Sequence, residues 1–362
     1  MVYGVRVEYY DLKNQQDAAF ARRSEFNPTV IDNPLYRHQK GVFDKDVRWM
    51  PSVNATLNLT HNINFRSSFS RTAIRPDFRE TAMVGGNIPE LNANVYGEHV
   101  FTTGVENTDV RLEWYPSAEE LLSITAYYKY LDAPVELMRS RSENSKTYYY
   151  NNMLSAYNKG LELEFRKNMG FLGKSNWLKN LYLFGNGTLL RSRVEVLDIY
   201  KTTRVEEEVV RTKERLPGQD RPLIGQSPWL LNLGIAYWGE NYGITGSFNH
   251  RGHRTSLTHV QMNLVEFENA PRQLDLQVYA RFMKKKMEVK FNAANLLNDW
   301  AVFYRNEKYK SPGEMEEAIK LDPKNAERPS VGDLRYNYDD GDAILYRFRD
   351  GRRFGLNISY NF

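Results

Sequence analysis

Short segments of alternating apolar and polar residues recur along the whole chain. Neighbouring side chains of a β-strand point to opposite faces, so each segment places every second residue on one apolar surface. We count twelve such segments, and the last is FGLNISYNF at residues 354–362. Their apolar positions fall in residues 3–9, 49–59, 63–69, 110–114, 122–130, 161–165, 181–189, 229–237, 242–248, 274–282, 287–293 and 354–362.

The apolar surface of these segments carries no charged residue, whereas the opposite surface carries many, such as Arg111, Glu113, Glu162 and Glu164. A strand facing water would tolerate an occasional Lys or Glu on its apolar side. In a transmembrane barrel, an Arg or Lys on the lipid side costs about 2–4 kcal/mol at mid-depth. The asymmetry therefore favours contact with hydrocarbon.

The connections between the segments differ in length in a regular way. Long and short connections alternate, as in outer-membrane barrels that have long extracellular loops and short periplasmic turns. The long ones cover residues 12–46, 72–104, 131–150, 198–227, 251–271 and 297–349, and the short ones include 60–62, 116–120, 239–241 and 284–286. We therefore predict an all-β fold, a transmembrane antiparallel up-and-down β-barrel.

Aromatic residues near the segment ends fit the same fold, because amphipathic rings favour the boundary between lipid and water. This predicted girdle consists of Trp49, Trp114, Tyr115, Trp229, Tyr237 and Trp238.

Composition narrows the possible functions. The 362 residues include no cysteine, which excludes disulfides and thiolate metal sites. With 49 basic and 45 acidic residues, the near-balance gives no indication of nucleic-acid binding. No phosphate-binding loop, dinucleotide fingerprint or zinc-hydrolase motif is present, so we expect neither a cofactor nor an enzyme.

Several stretches resemble the C-terminal part of the barrel in TonB-dependent receptors, a family of outer-membrane transporters. They are FRSSFSRTAIRPDFRE at 65–80, YNKGLELEFRKN at 157–168, residues 227–254, and residues 274–299, which end in NLLND. The terminal strand is similar to the family's assembly signal, which implies recognition by the barrel assembly machinery. Its signal residues would be Phe354, Leu356, Ile358, Tyr360 and Phe362.

The resemblance implies a barrel of 22 strands, an N-terminal plug and import of a scarce solute of siderophore, vitamin or saccharide type. Because we count about twelve strands and find no plug, we expect residues 1–362 to be a partial barrel domain in the cell outer membrane. TonB would act only through the plug missing here, and outer-membrane lipid and lipopolysaccharide would surround the chain. Alternatives are a self-closed twelve-stranded passive pore or barrel enzyme, and a soluble β-sandwich.

Arginines cluster near the entries to the long connections. Guanidinium groups match oxyanions, so Arg75, Arg79, Arg251 and Arg254 are candidates for binding an anionic solute. Salt bridges in the lumen and lipopolysaccharide phosphates are the more frequent partners of such groups. The same cluster includes Arg71, Arg347, Arg349, Arg352 and Arg353.

Two short motifs raise the question of a metal. His250, His253 and His259 lie close together in sequence, and YDDGDA at 338–343 offers carboxylates for calcium. Neither has the ligand spacing of a known site, so we expect solvated loops. The spacing of apolar residues in 311–329 predicts a short helix in the last long connection.

Overall fold

The computed structural model describes residues 1–13, 43–81, 86–88, 93–96, 100, 102–139, 147–196, 201–205, 208–212, 221–259, 264–306, 335–336 and 342–361. These residues contain twenty-two strands and a few single-turn helices. The strands are β1 Val2–Lys13, β2 Phe43–Asn58, β3 Ile63–Ile74, β4 Gly86–Ile88, β5 Ala93–Tyr96, β6 Thr103–Trp114, β7 Leu121–Asp132, β8 Val135–Arg139, β9 Thr147–Asn152, β10 Ser155–Asn168, β11 Leu181–Glu195, β12 Lys201–Val205, β13 Glu208–Thr212, β14 Trp229–Trp238, β15 Tyr242–Arg251, β16 Arg254–Leu257, β17 Glu266–Asn269, β18 Gln273–Phe282, β19 Met287–Ala294, β20 Ala301–Arg305, β21 Ala343–Phe348 and β22 Arg353–Tyr360. The helices are α1 Phe78–Thr81, α2 Asn176–Lys179 and a 3-10 turn Met169–Leu172.

Twelve of the strands form one antiparallel sheet, which confirms the predicted number and fold class. Its order is β1-β2-β3-β6-β7-β10-β11-β14-β15-β18-β19-β22, so every strand pairs with the next strand of the sheet along the chain. The register keeps apolar residues together: Leu161 of β10 faces Ala126 of β7 on one side and Leu189 of β11 on the other.

The two faces of this sheet have the character that the alternation predicts. On the apolar outward face, Leu161 is 51% exposed, Leu189 66% and Ile235 52%. On the polar inward face, the Glu113 and Ser123 side chains are buried. The apolar side chains are therefore not covered by a second sheet, which argues against the β-sandwich.

Strands β1 and β22 are the two ends of the twelve-stranded order and do not pair with each other in the described residues. A self-closed barrel of twelve strands requires that pairing, because an unpaired strand edge in hydrocarbon leaves peptide groups without hydrogen bonds. The unpaired ends of the sheet favour the interpretation that these strands are part of a larger barrel.

The connections separate into two edges of the sheet. Short turns after β2, β6, β14 and β18, together with the helical turn after β10, define the turn edge, and the longer segments define the long-connection edge. In the helical turn, Asn168 Oδ1 accepts from the Gly170 N–H at 2.8 Å and Ser175 Oγ accepts from the Trp177 N–H at 3.3 Å. Within the described ranges, no helix has the length and apolar character needed to cross a membrane.

Two four-stranded sheets, of order β16-β17-β20-β21 and β4-β5-β9-β8, continue the structure beyond the long-connection edge. They are joined where β8 meets the segment after β16. The Arg139 N–H donates to Thr258 O at 2.8 Å, and Thr258 Oγ1 donates to Leu137 O at 2.8 Å. We call these two sheets the cap.

A buried cluster holds the cap to the strands beneath it. Its members are Met138, Met153, Ala156, Val194, Val196 and Leu223. Beside it the Arg221 and Glu136 side chains are both fully buried, and Arg221 Nη2 lies 2.6 Å from Glu136 Oε2. The Ile224 N–H also donates to Glu136 Oε1 at 2.8 Å, so the pair fixes residues 221–224 against β8.

Candidate functional site

Arg251 and Arg254, two of the predicted solute-binding residues, converge on one carboxylate at the long-connection edge. Arg251 Nη2 donates to Glu268 Oε1 at 2.8 Å, and Arg254 Nε donates to Glu268 Oε2 at 2.5 Å. Glu268 is buried, whereas both arginine side chains stay about one third exposed (36% and 33%). Two guanidinium groups against one carboxylate leave one net positive charge and several free N–H donors in fixed positions.

Phenol groups and further charges adjoin this cluster. Arg305 Nη2 donates to Glu266 Oε1 at 3.3 Å, beside Glu268 on β17. Burial, and then the charge of Glu266, raises the pKa of Tyr148 above its ordinary value. Partial burial, and then Glu266 and Glu268, raises the pKa of Tyr346 as well. Both phenols therefore stay protonated at neutral pH and can donate hydrogen bonds.

A cavity of about 370 Å³ opens beside the arginine cluster. Its polar lining includes Asn232, Asn249, Arg251, Glu268, Gln273 and Asp350. We call it the mouth cavity. It is large enough for a small polar molecule.

A second cavity of about 360 Å³ lies on the inward face, towards the turn edge. It is lined by Arg166, Phe184, Asn186 and Trp238, and it shares Asn232 and Asn249 with the mouth cavity. Asn232 donates to Asn186 Oδ1 at 2.6 Å. The two cavities therefore adjoin along the inward wall.

Charged side chains also link three strands, β3, β6 and β10, on the inward face. Glu113 accepts from Arg111 Nε at 2.7 Å and lies 2.9 Å from Arg66 Nε, and Arg111 Nη2 donates to Glu164 Oε2 at 2.8 Å. Tyr115 OH donates to Glu113 Oε2 at 3.1 Å. This network makes the inward wall polar and holds its charges in fixed positions.

Residues 1–296 match the family model described as TonB dependent receptor-like, beta-barrel. The chain belongs to this family. Members of this family are receptors and transporters rather than enzymes. In this TonB-dependent receptor chain, the twelve-stranded sheet with its six long connections forms part of such a barrel.

Solved structures of siderophore receptors are similar to the chain at low identity. The ferric enterobactin receptor PfeA of Pseudomonas aeruginosa, with enterobactin bound, has 11% identity and a TM-score of 0.49 over 87% of this chain and 41% of PfeA. The siderophore receptor PirA of Acinetobacter baumannii has 12% identity and a TM-score of 0.46 over 71% of this chain and 38% of PirA. The ferric-catecholate import receptor Fiu of E. coli has 12% identity and a TM-score of 0.47 over 72% of this chain and 32% of Fiu.

The chain thus spans less than half the length of these structures. No curated protein matches the sequence.

The other predicted arginines lie apart from the mouth cluster. Arg75 Nη2 donates to Glu8 Oε2 at 3.2 Å, and its guanidinium lies 4.5 Å from the Tyr10 ring centroid, so it ties β3 to β1. Arg79 is an exposed residue of α1. Because β3 and β15 are six positions apart in the sheet order, Arg75 and Arg251 lie in different parts of the sheet. Solute binding by these residues stays a prediction.

The remaining arginines of the predicted set have local contacts. Arg71 pairs with Glu106 at 2.8 Å on the outward face. Arg347 and Arg349 both lie over the Trp300 ring, at 4.6 and 4.1 Å from its centroid. Arg352 Nε donates to Leu296 O at 2.8 Å, and Arg353 is the first residue of β22.

The predicted assembly signal is an exposed outward stripe on β22. Phe354, Leu356 and Ile358 are 63–64% exposed, and Tyr360 is 45% exposed. Phe354 stacks on Phe291 of β19 with 6.2 Å between ring centroids. Phe362 lies outside the described residues, and recognition by the assembly machinery stays a prediction.

The histidines and acidic residues do not form a metal site in the part of the chain that the structure describes, where no three His, Asp or Glu side chains converge. His250 packs edge-on against Trp229 at 4.8 Å, His253 lies edge-on to Phe267 at 6.5 Å, and His259 is buried in the cap. Of the YDDGDA motif only Asp342 and Ala343 are described. The helix predicted in residues 311–329 lies outside the described residues.

The predicted aromatic girdle is wrong at two positions. Tyr115 donates to the inward Glu113 and therefore lies on the inward face. The second position is Trp238. Its ring packs on Tyr182, 4.8 Å away, and on Phe184, 6.3 Å away, which places it on the inward face. The alternation itself carries that signal, because Tyr237 and Trp238 are adjacent and must face opposite ways. At the turn edge, the centroids of the Tyr237 and Trp177 rings lie 6.2 Å apart. The alternation gives no signal for Trp177, because this residue lies outside any strand.

Proposed function

We propose that the chain is the C-terminal part of the barrel of an outer-membrane receptor that binds a scarce solute at the long-connection edge and imports it. The observation that carries this proposal is the fixed arginine pair on Glu268 beside the mouth cavity. Guanidinium groups held by a buried carboxylate present N–H donors to an oxyanion without first losing conformational freedom.

The adjoining inward cavity supports a route for the solute. Asn232 and Asn249 line both cavities, so a solute leaving the mouth cavity would keep polar contacts along the wall. Import would require TonB acting on a plug, which the described residues do not include. Other partners in this proposal are outer-membrane lipid, lipopolysaccharide and the barrel assembly machinery.

The proposal is tested by solute binding to the full chain refolded in detergent micelles. A ferric siderophore, cobalamin and a maltodextrin are titrated separately, and tryptophan fluorescence is recorded. We expect one of them to bind, and the Arg251→Gln/Arg254→Gln variant to bind it at least about 10-fold more weakly, because charged hydrogen bonds contribute about 1.5–3 kcal/mol.

The matched control is Arg281→Gln, which removes a guanidinium at the turn edge, where Arg281 pairs with Glu288. Equal affinity of the double variant and the unmodified chain would contradict the assignment of the mouth cluster. A folded chain that binds none of the solutes would remove the support for solute recognition by these residues.

A further inference from the structure

A row of cations and phenols crosses the outward face at its long-connection end. Lys159 of β10 lies directly opposite Tyr128 of β7 and Arg191 of β11. Two residues further along the strands, the facing residues are Tyr130, Tyr157 and Arg193. We call these six residues the outward cationic row.

The row begins where the apolar band ends. Two residues nearer the turn edge on the same face lie Ala126, Leu161 and Leu189, and both leucines are more than half exposed. A strand rises about 3.4 Å per residue, so Lys159 and Arg191 lie roughly 7 Å beyond the last apolar residues. Because the apolar band of a barrel faces hydrocarbon, we expect lipid headgroups at the level where that band ends.

Lys159 and Arg191 face each other across adjacent strands, and like charges in that position destabilise a sheet. Both side chains are exposed. Among the described residues neither has an ion pair, and the Lys159 Nζ atom lies 5.8 Å from the centroid of the Tyr157 ring. An anion between the two cations would replace this repulsion with attraction.

Carboxylates on this face do not serve that purpose. Asp132 and Glu195 face Ser155, four residues along from Lys159 and therefore roughly 14 Å away. Glu195 accepts from Ser155 Oγ at 3.0 Å, and Glu106 pairs with Arg71. Among the described carboxylates of this face none pairs with the row, so an anion from another molecule would fit it.

We propose that the outward cationic row binds the phosphate groups of lipopolysaccharide, whose acyl chains lie along Leu161, Leu163 and Leu189. The inference rests on the proposed outer-membrane location and adds a lipid site that is separate from the mouth cavity. Lys159 and Arg191 neutralise the phosphate, and the phenols of Tyr128 and Tyr157 sit at the boundary where amphipathic rings are favoured. The continuity of cations with an apolar band matches an amphipathic lipid better than a soluble anion.

The test uses the full chain refolded in neutral detergent micelles and a fluorescent diphosphoryl lipid A, with binding followed by anisotropy. We expect Lys159→Gln/Arg191→Gln to bind about 10- to 30-fold more weakly, since each basic residue near an anionic surface contributes about a factor of five. Lipid A without phosphates should bind the unmodified chain about as weakly as diphosphoryl lipid A binds the variant.

The matched control is Lys129→Gln/Lys290→Gln, which removes two cations from the inward face and should retain the affinity. The variant Lys159→Arg/Arg191→Lys, which exchanges the two cations, should also retain the lipid A affinity. It shows whether substitution at these positions disturbs folding when the charges are kept. The proposal is overturned if the Lys159→Gln/Arg191→Gln variant binds as tightly as this control, or if phosphate-free lipid A binds equally well. It is also overturned if inorganic phosphate at equal concentration displaces the lipid.

The solute titration is repeated on the same variant. Retained solute binding with unchanged lipid A affinity would contradict the lipid site and leave the proposed solute site unaffected. Loss of solute binding from a folded variant would instead show that the row belongs to the solute site, and it would overturn the separation claimed here.

Discussion

At the scale of single residues, the buried Arg221–Glu136 pair makes the sharpest prediction. Removing one partner leaves the other charge buried without compensation, which costs about 3–5 kcal/mol. For Glu136→Gln we expect the cap to open locally while the twelve-stranded sheet stays intact. Hydrogen exchange followed by mass spectrometry should show faster exchange of the Ile224 and Val194 amides, whose hydrogen bonds depend on this segment.

Two variants separate charge burial from a general effect of substitution. Glu136→Leu/Arg221→Met replaces the pair with apolar side chains, and we expect it to recover most of the protection. Arg272→Gln removes an exposed partner of Asp299 and should leave these amides unchanged, because water screens that pair. Unchanged exchange in Glu136→Gln would mean that the pair does not hold the cap.

At the scale of elements, the contact between β11 and β14 depends on a glycine. Gly234 faces Phe184, and a Cβ atom there would collide with the Phe184 ring. We expect Gly234→Val to displace Phe184 from Trp238 and to destabilise the sheet by about 1–3 kcal/mol, as overpacked sites do. Urea unfolding in lipid vesicles, together with near-ultraviolet circular dichroism of the aromatic cluster, measures both effects.

Gly355→Ala is the comparison for that variant, because a Cβ atom at Gly355 meets no atom within 4 Å. We expect its unfolding midpoint to stay the same or to rise slightly. If Gly234→Val were equally harmless, the close approach of the two strands would not be a constraint.

The connections after β17 and β19 are joined by a titratable contact. Arg272 Nε donates to Asp299 Oδ2 at 2.7 Å, and this hydrogen bond lowers the pKa of Asp299 below its ordinary value of 3.8. The contact therefore contributes stability above the ordinary pKa and loses it as the pH falls through the lowered pKa. Carbon-13 NMR titration of the carboxyl should show the low pKa, and Arg272→Gln should return it towards 3.8; an unmoved pKa would contradict this cause.

At the scale of the whole molecule, the open order of the sheet separates a partial barrel from a passive pore. Because β1 and β22 do not pair in the described residues, we expect the refolded chain alone to give no uniform conductance steps in planar lipid bilayers. Steps of one reproducible size, in a chain that carries only these twelve sheet strands, would favour the self-closed alternative.

The sheet could be predicted from the sequence because hydrocarbon enforces strict alternation on every strand that crosses it. The cap could not be predicted in the same way. Strands such as β8 and β16 bury every second residue, but the buried residues include Glu136 and Thr255, so the sequence shows no apolar alternation there. The partners Glu136 and Arg221 are 85 residues apart and meet only through the fold. At the candidate site, the sequence indicated Arg251 and Arg254, but the carboxylate that fixes them came from the structure.

The alternation of the twelve strands also restricts how such a gene can vary. Deleting one codon within β10 would turn Leu161 and Leu163 towards water and Glu162 and Glu164 towards lipid, whereas deleting two would keep each side chain on its own face. Insertions of any length are tolerated only where the chain leaves the ladder, at the long-connection edge. Length polymorphism among natural variants should therefore concentrate between β1 and β2, between β11 and β14, and between β20 and β21, with even-numbered changes prevailing inside the strands.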